Sequence, residues 1–410
     1  MKLNHREARK TIGVVLAGGK GERLSPLTRL RPKPGVPFGG KYKIVDFVLS
    51  NFFNSGIRKI YVLTQYQSYA LNKHVRDAWD KLTGWDEYCE AISPETNSES
   101  EEWFKGTADA VSHYLRFIEE SDADYIAVFG GDHIYKMDIR QMIDFHCARK
   151  ADITIAALEV PRFEAKRFGV FAVDNHAKVI AFEEKPHLPV TIPGRETCFA
   201  SMGNYIFSRE KLICILKEGK KHFSDLDFGK HIIPMMLARG DRVFAYNFSD
   251  NWIPDMTQEE KGYWKDVGTL DSYYEANMDL IAVSPQLNLY NFKWPILTMP
   301  CNLPPAKTVF NDDNRRGHSL DSYVSGGCVI SGGTVLRSIL GQACRVNSYS
   351  LVEDSILFDR VVIGRYAKIR RAIIDEGMII PDGTVIGYDI DADLQSGYTV
   401  TDSGIVVVSR

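Results

Sequence analysis

Residues 11–24, Thr-Ile-Gly-Val-Val-Leu-Ala-Gly-Gly-Lys-Gly-Glu-Arg-Leu, join an apolar, β-branched run to a glycine-rich turn. The run at 11–16 has the length and composition of a buried strand. Glycines let the backbone approach a phosphate closely and point its amides toward it. The turn lacks the spacing of a Walker A loop and the third glycine of a dinucleotide fingerprint. It predicts a strand and a phosphate-binding loop ending at Arg23, with a tight surface turn as the alternative.

The alternation of strand and helix continues to about residue 280. Apolar β-branched runs recur, and amphipathic segments of helix length lie between them. The predicted strands are residues 11–16, 59–64, 125–129 and 153–158, and the predicted helices are residues 68–79, 107–119 and 138–149. Strands that alternate with helices imply crossover connections and a largely parallel sheet covered on both faces. A ligand cleft is then expected at the carboxyl ends of the strands.

The rest of the sequence has a different texture. Five prolines interrupt residues 284–307, which we interpret as a surface linker. From about residue 321 helix signals disappear and apolar residues recur every six positions, with a change of phase between groups. These residues are Val324, Ile330, Leu336, Val346, Val352, Phe358, Ile363, Ile369, Ile380 and Ile386. The period predicts a parallel β-helix, with a sandwich of short strands as the alternative. We therefore divide the chain into domains at 1–283 and 308–410, joined by the linker.

Composition limits the functions open to this chain. Its 410 residues suffice for two or three domains, and 44% hydrophobic with 25% charged residues is ordinary for a globular protein. The net charge of −3 argues against a nucleic-acid partner. No apolar run reaches the ~20 residues of a membrane-spanning helix, so no membrane association is expected. Seven scattered cysteines without a Cys-x-x-Cys pair favour a reducing compartment, and we expect a cytoplasmic protein without a zinc site.

Two cations and two carboxylates are the strongest catalytic candidates. Arg23 closes the glycine loop, and Lys33 stands between two prolines that stiffen the backbone presenting it. Cations beside a glycine loop suit a triphosphate. Asp132 follows a predicted strand, where α/β proteins bind ligands, and Asp266 is a second carboxylate whose distance from it the sequence leaves open. Mg²⁺ prefers one or two carboxylates with substrate phosphates, so both are candidate metal ligands, whereas His133 is expected to pack or form a hydrogen bond.

Other residues suggest where a base and a sugar would lie. Phe104 precedes a Thr-capped helix, where an aromatic ring either stacks on a purine or packs in the core. Lys185 is held before a proline and suits a second phosphate, and Glu184 beside it suits sugar hydroxyls. The segments at 200–205, Ala-Ser-Met-Gly-Asn-Tyr, and 225–229, Asp-Leu-Asp-Phe-Gly, either line a sugar pocket or form loops.

Taken together, these motifs resemble the bacterial-type glucose-1-phosphate adenylyltransferases, also called ADP-glucose pyrophosphorylases. Nine segments follow the family's order over almost the whole chain: LAGGKGERL, RPKPGVPFGGKYKIVDF, WFKGTADAV, GGDHIYKMD, FEEKP, ASMGNYIFS, DFGKHIIP, YWKDVGTLDSYYEAN and SGGCVISGG. The resemblance implies a Rossmann-like nucleotidyltransferase domain followed by a left-handed parallel β-helix. It also implies conversion of ATP and glucose 1-phosphate to ADP-glucose and pyrophosphate, the first committed step of glycogen or other storage α-glucan synthesis, by an allosterically regulated homotetramer.

The resemblance further implies roles for individual residues. Asp132 corresponds to the catalytic, Mg²⁺-binding aspartate and Asp266 to its partner. Arg23 and Lys33 correspond to the residues that bind the ATP phosphates, and Lys185 to the lysine that binds the phosphate of glucose 1-phosphate. The other substrate-binding positions are Gly18, Gly19, Phe104, Gly106, Gly169, Glu184, Ser201, Tyr205, Asp227, Phe228 and Trp264.

Departures from the family pattern bear mainly on regulation. Phe104 replaces a tyrosine found in many relatives, and residues 91–101 lack the usual glutamine-containing loop. Leu30 and Pro37 stand where some relatives have basic or histidine residues for a sugar-bisphosphate activator, which puts that activator in doubt. The candidate ligands of a phosphorylated metabolite effector are Lys43, Arg365, Arg370 and Arg371, with a solvated basic face as the alternative.

Three other functions are open at this point. A related sugar-nucleotide synthase would share the motifs and use UTP, GTP or dTTP, which a nucleotide panel distinguishes. A catalytically silent regulatory subunit fits less well, because Arg23, Lys33 and Asp132 are all present. A hexapeptide acyltransferase needs a catalytic histidine, and the only histidine after His231 is His318, which precedes the hexads.

Overall fold

The computed structural model describes residues 5–94 and 104–409, so Trp103 and residues 95–101 of the atypical loop lie outside the described residues. The strands of the first part are β1 Thr11–Ala17, β2 Pro37–Phe38, β3 Tyr42–Lys43, β4 Lys59–Thr64, β5 Tyr88–Ile92, β6 Tyr125–Gly130, β7 Ile134–Tyr135, β8 Ile153–Pro161, β9 Gly169–Val173, β10 Val179–Glu184, β11 Thr197–Ser208, β12 Val243–Asn247 and β13 Trp264–Lys265. Its helices are α1 His5–Arg9, α2 Ile44–Asn54, α3 Tyr69–Ala78, α4 Thr107–His113, α5 Leu115–Glu119, α6 Ile139–Arg149, α7 Arg162–Ala165, α8 Arg209–His222, α9 Ile233–Ala238 and α10 Leu270–Asp279.

All of the predicted strands and helices of this part are present, and one helix is divided. The segment predicted as a single helix at 107–119 is broken at Tyr114, which separates α4 from α5. Tyr114 leaves helical geometry there, and its hydroxyl donates to the carbonyl oxygen of Ser93 at 2.6 Å. The apolar period therefore predicted the helical segment correctly. The break at Tyr114 coincides with its hydrogen bond to Ser93, which lies outside the helix.

A nine-stranded sheet organises the first part. One side of it is parallel, in the order β6-β1-β4-β5 with β5 at the edge, as the crossover pattern predicts. The long strand β11 then runs antiparallel to β6, β8 and β9, which extends the sheet in a way that the sequence pattern did not indicate. Helices cover both faces. One face packs around residues such as Phe52, Trp79 and Met142, and the other around Val111 and Leu216.

The second part is a three-faced parallel β-helix. Its first face contains β14 Lys307–Val309, β19 Val329–Ser331, β22 Arg345–Val346, β25 Val362–Ile363 and β28 Ile379–Ile380. The second contains β17 His318–Leu320, β20 Thr334–Leu336, β23 Leu351–Glu353, β26 Lys368–Arg370 and β29 Val385–Ile386. The third contains β18 Tyr323–Val324, β21 Ile339–Leu340, β24 Ile356–Leu357, β27 Ala372–Ile374, β30 Thr399–Val400 and β31 Val406–Val408. A hairpin, β15 Asn311–Asp312 with β16 Arg315–Arg316, and the helix α11 Ile390–Gln395, which the sequence did not predict, complete this part.

The length of a coil explains why the six-residue period loses phase. Val346 pairs with Ile363, which pairs with Ile380, so one coil takes 17 residues rather than three full hexads. Most residues of the six-residue period are buried inside the β-helix. Leu336 belongs to the six-residue period but is not an interior residue, because Val335 points inward on that face, with no exposed surface.

The third face of the β-helix is buried on both sides. Its pairs of adjacent apolar residues, such as Ile356 and Leu357, place one side chain inside the coil and the other outside. The outer residues join a core with the first part that includes Phe38 and Tyr273. Phe358, a member of the six-residue period, belongs to this shared core. The two parts therefore pack directly on each other.

No helix within the described ranges is long and apolar enough to cross a membrane. All seven cysteines lie in described residues and are free thiols.

Candidate active site

A cleft of about 430 Å³ opens at the carboxyl ends of β1, β4 and β6. This is the edge where a parallel sheet is expected to bind its ligand. Its lining residues are Leu16, Gly18, Gly19, Pro34, Leu63, Gln65, Phe104, Lys105, Gly106, Thr107, Ala110, Gly130, Asp132, His133, Gly203, Tyr205, Asp227 and Phe228. Eight of the predicted site residues thus share one cleft, while Gln65 and Thr107 were not among the candidates.

The glycine loop rests directly on Lys33. Gly21 has a left-handed backbone (φ 64°), and a Cβ at this position would fall 2.8 Å from the Cβ of Lys33. The hydroxyl of Thr28 donates to the carbonyl oxygen of Gly21 at 3.0 Å, which holds the turn in place. A 3₁₀ turn at Glu22–Leu24 then carries Arg23. Only glycine satisfies both the conformation and the close approach at position 21.

Backbone pairing brings the two predicted carboxylates together. The amide of Gly131 donates to the carbonyl oxygen of Leu16 at 3.0 Å, which fixes the turn carrying Asp132 beside the end of β1. The short strand β13 runs antiparallel to β7, and Asp266 follows it directly. Since β7 begins two residues after Asp132, this pairing delivers Asp266 to the same point. The sequence could not show this convergence.

Lys33 lies between the two carboxylates. Its Nζ is 3.0 Å from Asp132 Oδ2 and 2.7 Å from Asp266 Oδ1, and it also donates to the main-chain oxygen of Asp266. The Lys33 side chain is only 6% exposed. Arg23 lies on the outer side, with Nη2 3.7 Å from Asp266 Oδ2, and its side chain is 63% exposed. All four predicted catalytic residues therefore form one cluster.

The charges of this cluster stabilise one another. Burial alone would raise the pKa of Asp132, but His133 and Lys33 together lower that pKa to about 2. Burial alone would lower the pKa of Lys33, yet Asp132 and Asp266 raise it above its ordinary value. Asp132 is therefore ionised and Lys33 is protonated at neutral pH.

His133 belongs to the cluster, although the sequence suggested only packing or hydrogen bonding. Its Nε2 is 3.4 Å from Asp132 Oδ1 and 3.7 Å from Asp266 Oδ1, and its ring contacts that of Trp264 at 4.8 Å. Burial lowers its pKa. The sequence signal that could have identified His133 as part of the cluster is its position next to Asp132. The direction of its ring depends on contact with Trp264 of β13, which is distant in the chain.

The donor set suits a divalent cation. One carboxylate oxygen each from Asp132 and Asp266, with a nitrogen of His133, lie within 4.8 Å of one another, and this is the one such group of three within residues 5–94 and 104–409. Two carboxylates that leave room for water and phosphate oxygens match the preference of Mg²⁺. An imidazole is a less usual Mg²⁺ ligand, so the two aspartates are the fitting residues.

The opposite wall of the cleft contains the predicted base-stacking residue. Phe104 is partly buried and contacts the rings of His113 and Tyr114 at 5.3 and 6.0 Å. Gly106 passes so close to the segment between α8 and α9 that a Cβ at this position would clash with the carbonyl oxygen of Leu226. Gln65, at the end of β4, donates to the carbonyl oxygen of Phe104 at 3.5 Å. Phe104 both lines the cleft and packs in the core, so the two sequence interpretations are compatible.

A second group of predicted residues surrounds Glu184. A Cβ at Gly169 would fall 2.9 Å from Glu184 Oε2, and one at Gly229 would fall 2.5 Å from it, so two glycines enclose the carboxylate. Burial raises the pKa of Glu184 and Asp227 adds to that effect, while Lys185 opposes it from 3.4 Å. Lys185 itself has a left-handed backbone (φ 51°).

Hydrogen bonds order the remaining residues on this side. Asp227 accepts from the amides of Gly229 and Lys230, at 2.9 and 3.0 Å, and from the hydroxyl of Thr107 at 2.8 Å. Phe228 packs against the ring of Tyr205 at 5.4 Å. Ser201 accepts from the amide of Gly203 at 3.2 Å, at an irregularity of β11. Trp264 lies behind His133 and outside the lining of the cleft.

The four predicted effector residues are not brought together. Arg370 and Arg371 line a separate cavity of about 550 Å³ between α10 and the β-helix, where their guanidinium groups lie over the rings of Tyr388 and Tyr274. Lys43 lies at the contact between the two parts, where burial lowers its pKa. Arg365 sits in a turn, and its amide donates to Asp382. Neither Lys43 nor Arg365 lines the cavity.

Comparisons with known proteins assign this architecture to a family. Residues 12–283 match the nucleotidyl transferase family, and residues 304–408 match the GlmU-like C-terminal hexapeptide family. Curated proteins named glucose-1-phosphate adenylyltransferase are 69% identical in Trichlorobacter lovleyi and 71% identical in Geobacter metallireducens, each over 402 residues. The alignments cover 98% of this chain and 97% and 98% of those proteins. The chain belongs to the glucose-1-phosphate adenylyltransferase family. A more distant member of this family, from Anaeromyxobacter sp., is 49% identical over 98% of both chains.

Family membership confirms the resemblance inferred from the nine motifs. The glucose-1-phosphate adenylyltransferase fold, a nucleotidyltransferase domain followed by a left-handed β-helix of hexapeptide type, is the predicted one. The chain is accordingly a nucleotidyltransferase.

Proposed function

We propose that the chain joins ATP and glucose 1-phosphate to form ADP-glucose and pyrophosphate, the first committed step of glycogen or another storage α-glucan. One observation carries the proposal. Lys33 bridges Asp132 and Asp266 beside a glycine loop, in a chain that is about 70% identical to curated adenylyltransferases. Both reactants are anions, so the reaction needs positive charge beside them. Lys33 supplies one such charge, and the two aspartates are the fitting ligands of a divalent cation.

The cleft is proposed to hold ATP. The amides of Gly18 and Gly19 and the cations of Arg23 and Lys33 would bind the phosphates. The base would lie against Phe104, near the close backbone approach at Gly106. Amides of a glycine loop and an arginine are strong donors to phosphate oxygens, and a preorganised donor of this kind is commonly worth about 10²–10³ in rate.

Asp132 and Asp266 would hold a Mg²⁺ ion. When bound, the ion supplies charge neutralisation between the two anionic reactants, typically worth several kcal/mol. A phosphate oxygen of glucose 1-phosphate then bonds to the α-phosphorus of ATP. The bond from that phosphorus to the bridging oxygen breaks, and pyrophosphate leaves with the electron pair. No protein base is needed, because the nucleophile is already an ionised phosphate oxygen.

The sugar phosphate is proposed to lie on the Glu184 side. Lys185 would bind its phosphate, and Glu184 and Asp227 would accept hydrogen bonds from glucose hydroxyls. The other positions assigned to this side are Gly169, Ser201, Tyr205, Phe228 and Trp264. Enclosure of the Glu184 carboxylate by Gly169 and Gly229 supports a fixed hydroxyl acceptor.

Regulation and assembly extend the proposal. We propose that phosphorylated metabolites act as effectors, with Arg370 and Arg371 as ligands in their cavity and with Lys43 and Arg365 as separate contributors. We also propose a cytoplasmic homotetramer to which the β-helix contributes. Exposed apolar residues on its outer faces, Leu320, Ile379 and Val385, support contact with other subunits, and light scattering of the purified protein measures the assembly.

Pyrophosphate release tests the proposed function. The purified chain is assayed at fixed glucose 1-phosphate and Mg²⁺ with ATP, UTP, GTP or dTTP, and an Asp132→Asn variant controls for contaminating enzymes. ATP is expected to give the highest kcat/KM. A preference for another nucleotide would assign a related sugar-nucleotide synthase instead, and absence of release with every nucleotide would contradict the proposal.

A further inference from the structure

The Lys33 ammonium group occupies the space between the Asp132 and Asp266 carboxylates, where a divalent cation would bind. Its Nζ is 3.0 Å from Asp132 Oδ2 and 2.7 Å from Asp266 Oδ1, and it also donates to the Asp266 carbonyl oxygen. A Mg²⁺ ion binds oxygen at about 2.0–2.1 Å, so it cannot share that space with an ammonium group. The ammonium group is buried, which places it inside the cluster rather than at its edge.

Charge reinforces this conflict. The two carboxylates carry two negative charges, and Lys33 neutralises one of them. A divalent cation added to the same cluster would leave a net positive charge in a partly buried site, where like charges repel strongly. Triphosphate oxygens would reverse that balance. A cation that arrives with a nucleotide is therefore far more favourable than a free one.

The loop that would bind the phosphates adjoins the stem of Lys33. Gly21 lies against its Cβ, and Gly18 and Gly19 line the same cleft. The flexible four-carbon stem of a lysine allows its ammonium group to turn from the carboxylates to phosphates bound at this loop. Lys33 thus has an alternative partner within reach only when a nucleotide is present.

We propose that Lys33 excludes free divalent cations from Asp132 and Asp266 in the nucleotide-free enzyme, so that the cation enters with the nucleotide. The proposal rests on the proposed function, because it assigns the order in which one site is filled. Lys33 would then have two roles: it excludes free cations before the nucleotide binds, and it contacts the phosphates afterwards.

Electron paramagnetic resonance of Mn²⁺ tests this role without nucleotide or sugar phosphate. Free Mn²⁺ is titrated against the full-length wild type, Lys33→Met and Lys33→Gln. Lys20→Met is the matched control, because Lys20 lies in the same loop and pairs only weakly with Glu22, at 3.9 Å, rather than with the cluster. The double variant Lys33→Met/Asp132→Asn shows whether any new binding is at the carboxylates. Circular dichroism verifies that each variant is folded.

The expected result is weak binding by the wild type and Lys20→Met, and binding tighter by about tenfold or more in both Lys33 variants, lost again in the double variant. Unchanged affinity in folded Lys33 variants would overturn the proposal. Tight Mn²⁺ binding by the wild type that is lost in Asp132→Asn would also overturn the proposal. This second outcome can be measured even if the Lys33 variants do not fold. Wild-type pyrophosphate release is measured separately, so a failure of the proposed function would appear there and not in the Mn²⁺ titration.

Discussion

Arg31 of the nucleotidyltransferase domain and Asp375 of the β-helix form a buried ion pair, with 2.8 Å between Nη2 and Oδ1. Both side chains are almost inaccessible, and the Arg31 guanidinium also lies 5.9 Å from the ring centroid of Phe358. Lys33 follows Arg31 by two residues. The contact between the domains therefore lies close in the chain to the cluster that Lys33 forms with Asp132 and Asp266.

Breaking this pair is expected to destabilise the protein strongly. Asp375→Asn leaves the Arg31 charge buried without its partner, which typically costs about 3–5 kcal/mol. The free energy of unfolding, measured by urea denaturation, should fall by an amount in that range. Asp255→Asn is the matched control, because Asp255 pairs with Lys293 at 3.0 Å on an exposed surface and should change stability by less than about 1 kcal/mol. Equal effects of the two variants would contradict the prediction.

Asp132→Asn is expected to reduce kcat by at least about 100-fold while the fold is retained. The amide keeps the size of the carboxylate but removes the charge that pairs with Lys33 and would bind the cation. Steady-state pyrophosphate release and thermal unfolding measure the two parts of the prediction. Asp122→Asn, at an exposed position where the carboxylate pairs with Lys59 at 3.5 Å, is the control and should keep normal kinetics. Near-normal kcat in Asp132→Asn would refute the assignment.

Lys185→Ala is expected to raise KM for glucose 1-phosphate by about tenfold or more with a smaller change in KM for ATP. The reason is the loss of the cation that is proposed to bind the sugar phosphate on the Glu184 side. Initial rates at varied concentrations of each substrate separate the two KM values. Lys178→Ala removes an exposed lysine just before β10 and should leave both unchanged. A rise in KM for ATP alone would contradict the prediction, because it would mean that Lys185 binds ATP and not glucose 1-phosphate.

Gly229→Ala is expected to weaken sugar binding by displacing Glu184. Its new Cβ would fall 2.5 Å from Glu184 Oε2, closer than atoms can approach, so the carboxylate must move. KM for glucose 1-phosphate should rise, whereas the free energy of unfolding changes by about 1 kcal/mol or less if the side chain turns away. Gly84→Ala, where the nearest atom would be 3.4 Å away, is the control. A variant with wild-type KM would show that Glu184 is not held by this glycine.

His146 is expected to make stability depend on pH in the acid range. Burial lowers its pKa from 6.5 to about 4, so the unfolded chain binds a proton that the folded chain does not between these values. The free energy of unfolding should therefore decrease as pH falls from 6.5 to 4, by about 3 kcal/mol from this residue. In His146→Gln this component should be absent, which urea denaturation at pH 7 and pH 4.5 measures. Identical pH dependence in both proteins would contradict the prediction.

Local pattern was sufficient for most of the fold. The strand at residues 59–64 was predicted with the observed bounds, because a buried parallel strand is a short apolar run between breakers. The antiparallel strand β11 was not recognised, since its central Met-Gly-Asn segment interrupts the apolar run at an irregularity in pairing. In the β-helix the hexad period identified the architecture, but a coil of 17 residues moved Leu336 to the outside.

The candidate site was recognised in part for a similar reason. Arg23, Lys33 and Asp132 were chosen because glycine and proline neighbours mark them locally, and they share one cluster. His133 was assigned only to packing or hydrogen bonding, and Gln65 was not selected because its own segment carries no motif. Thr107 was taken only as the cap of the predicted helix, whereas Gly106 is the capping residue of α4 and the Thr107 hydroxyl donates to Asp227. The effector residues were grouped by charge alone, and the structure divides them among separate places.

What the sequence by itself determined is the kind of chain this is: a strand-and-helix domain with a phosphate loop, then a hexad-repeat domain, because these features depend on the periodicity and type of neighbouring residues. Only the tertiary structure decided that Asp132 and Asp266 meet at Lys33, that two glycines enclose Glu184, and that Arg31 pairs with Asp375. Those contacts join residues that lie tens to hundreds of positions apart. Their distances depend on the order of strands and the length of the coils, which no local segment contains.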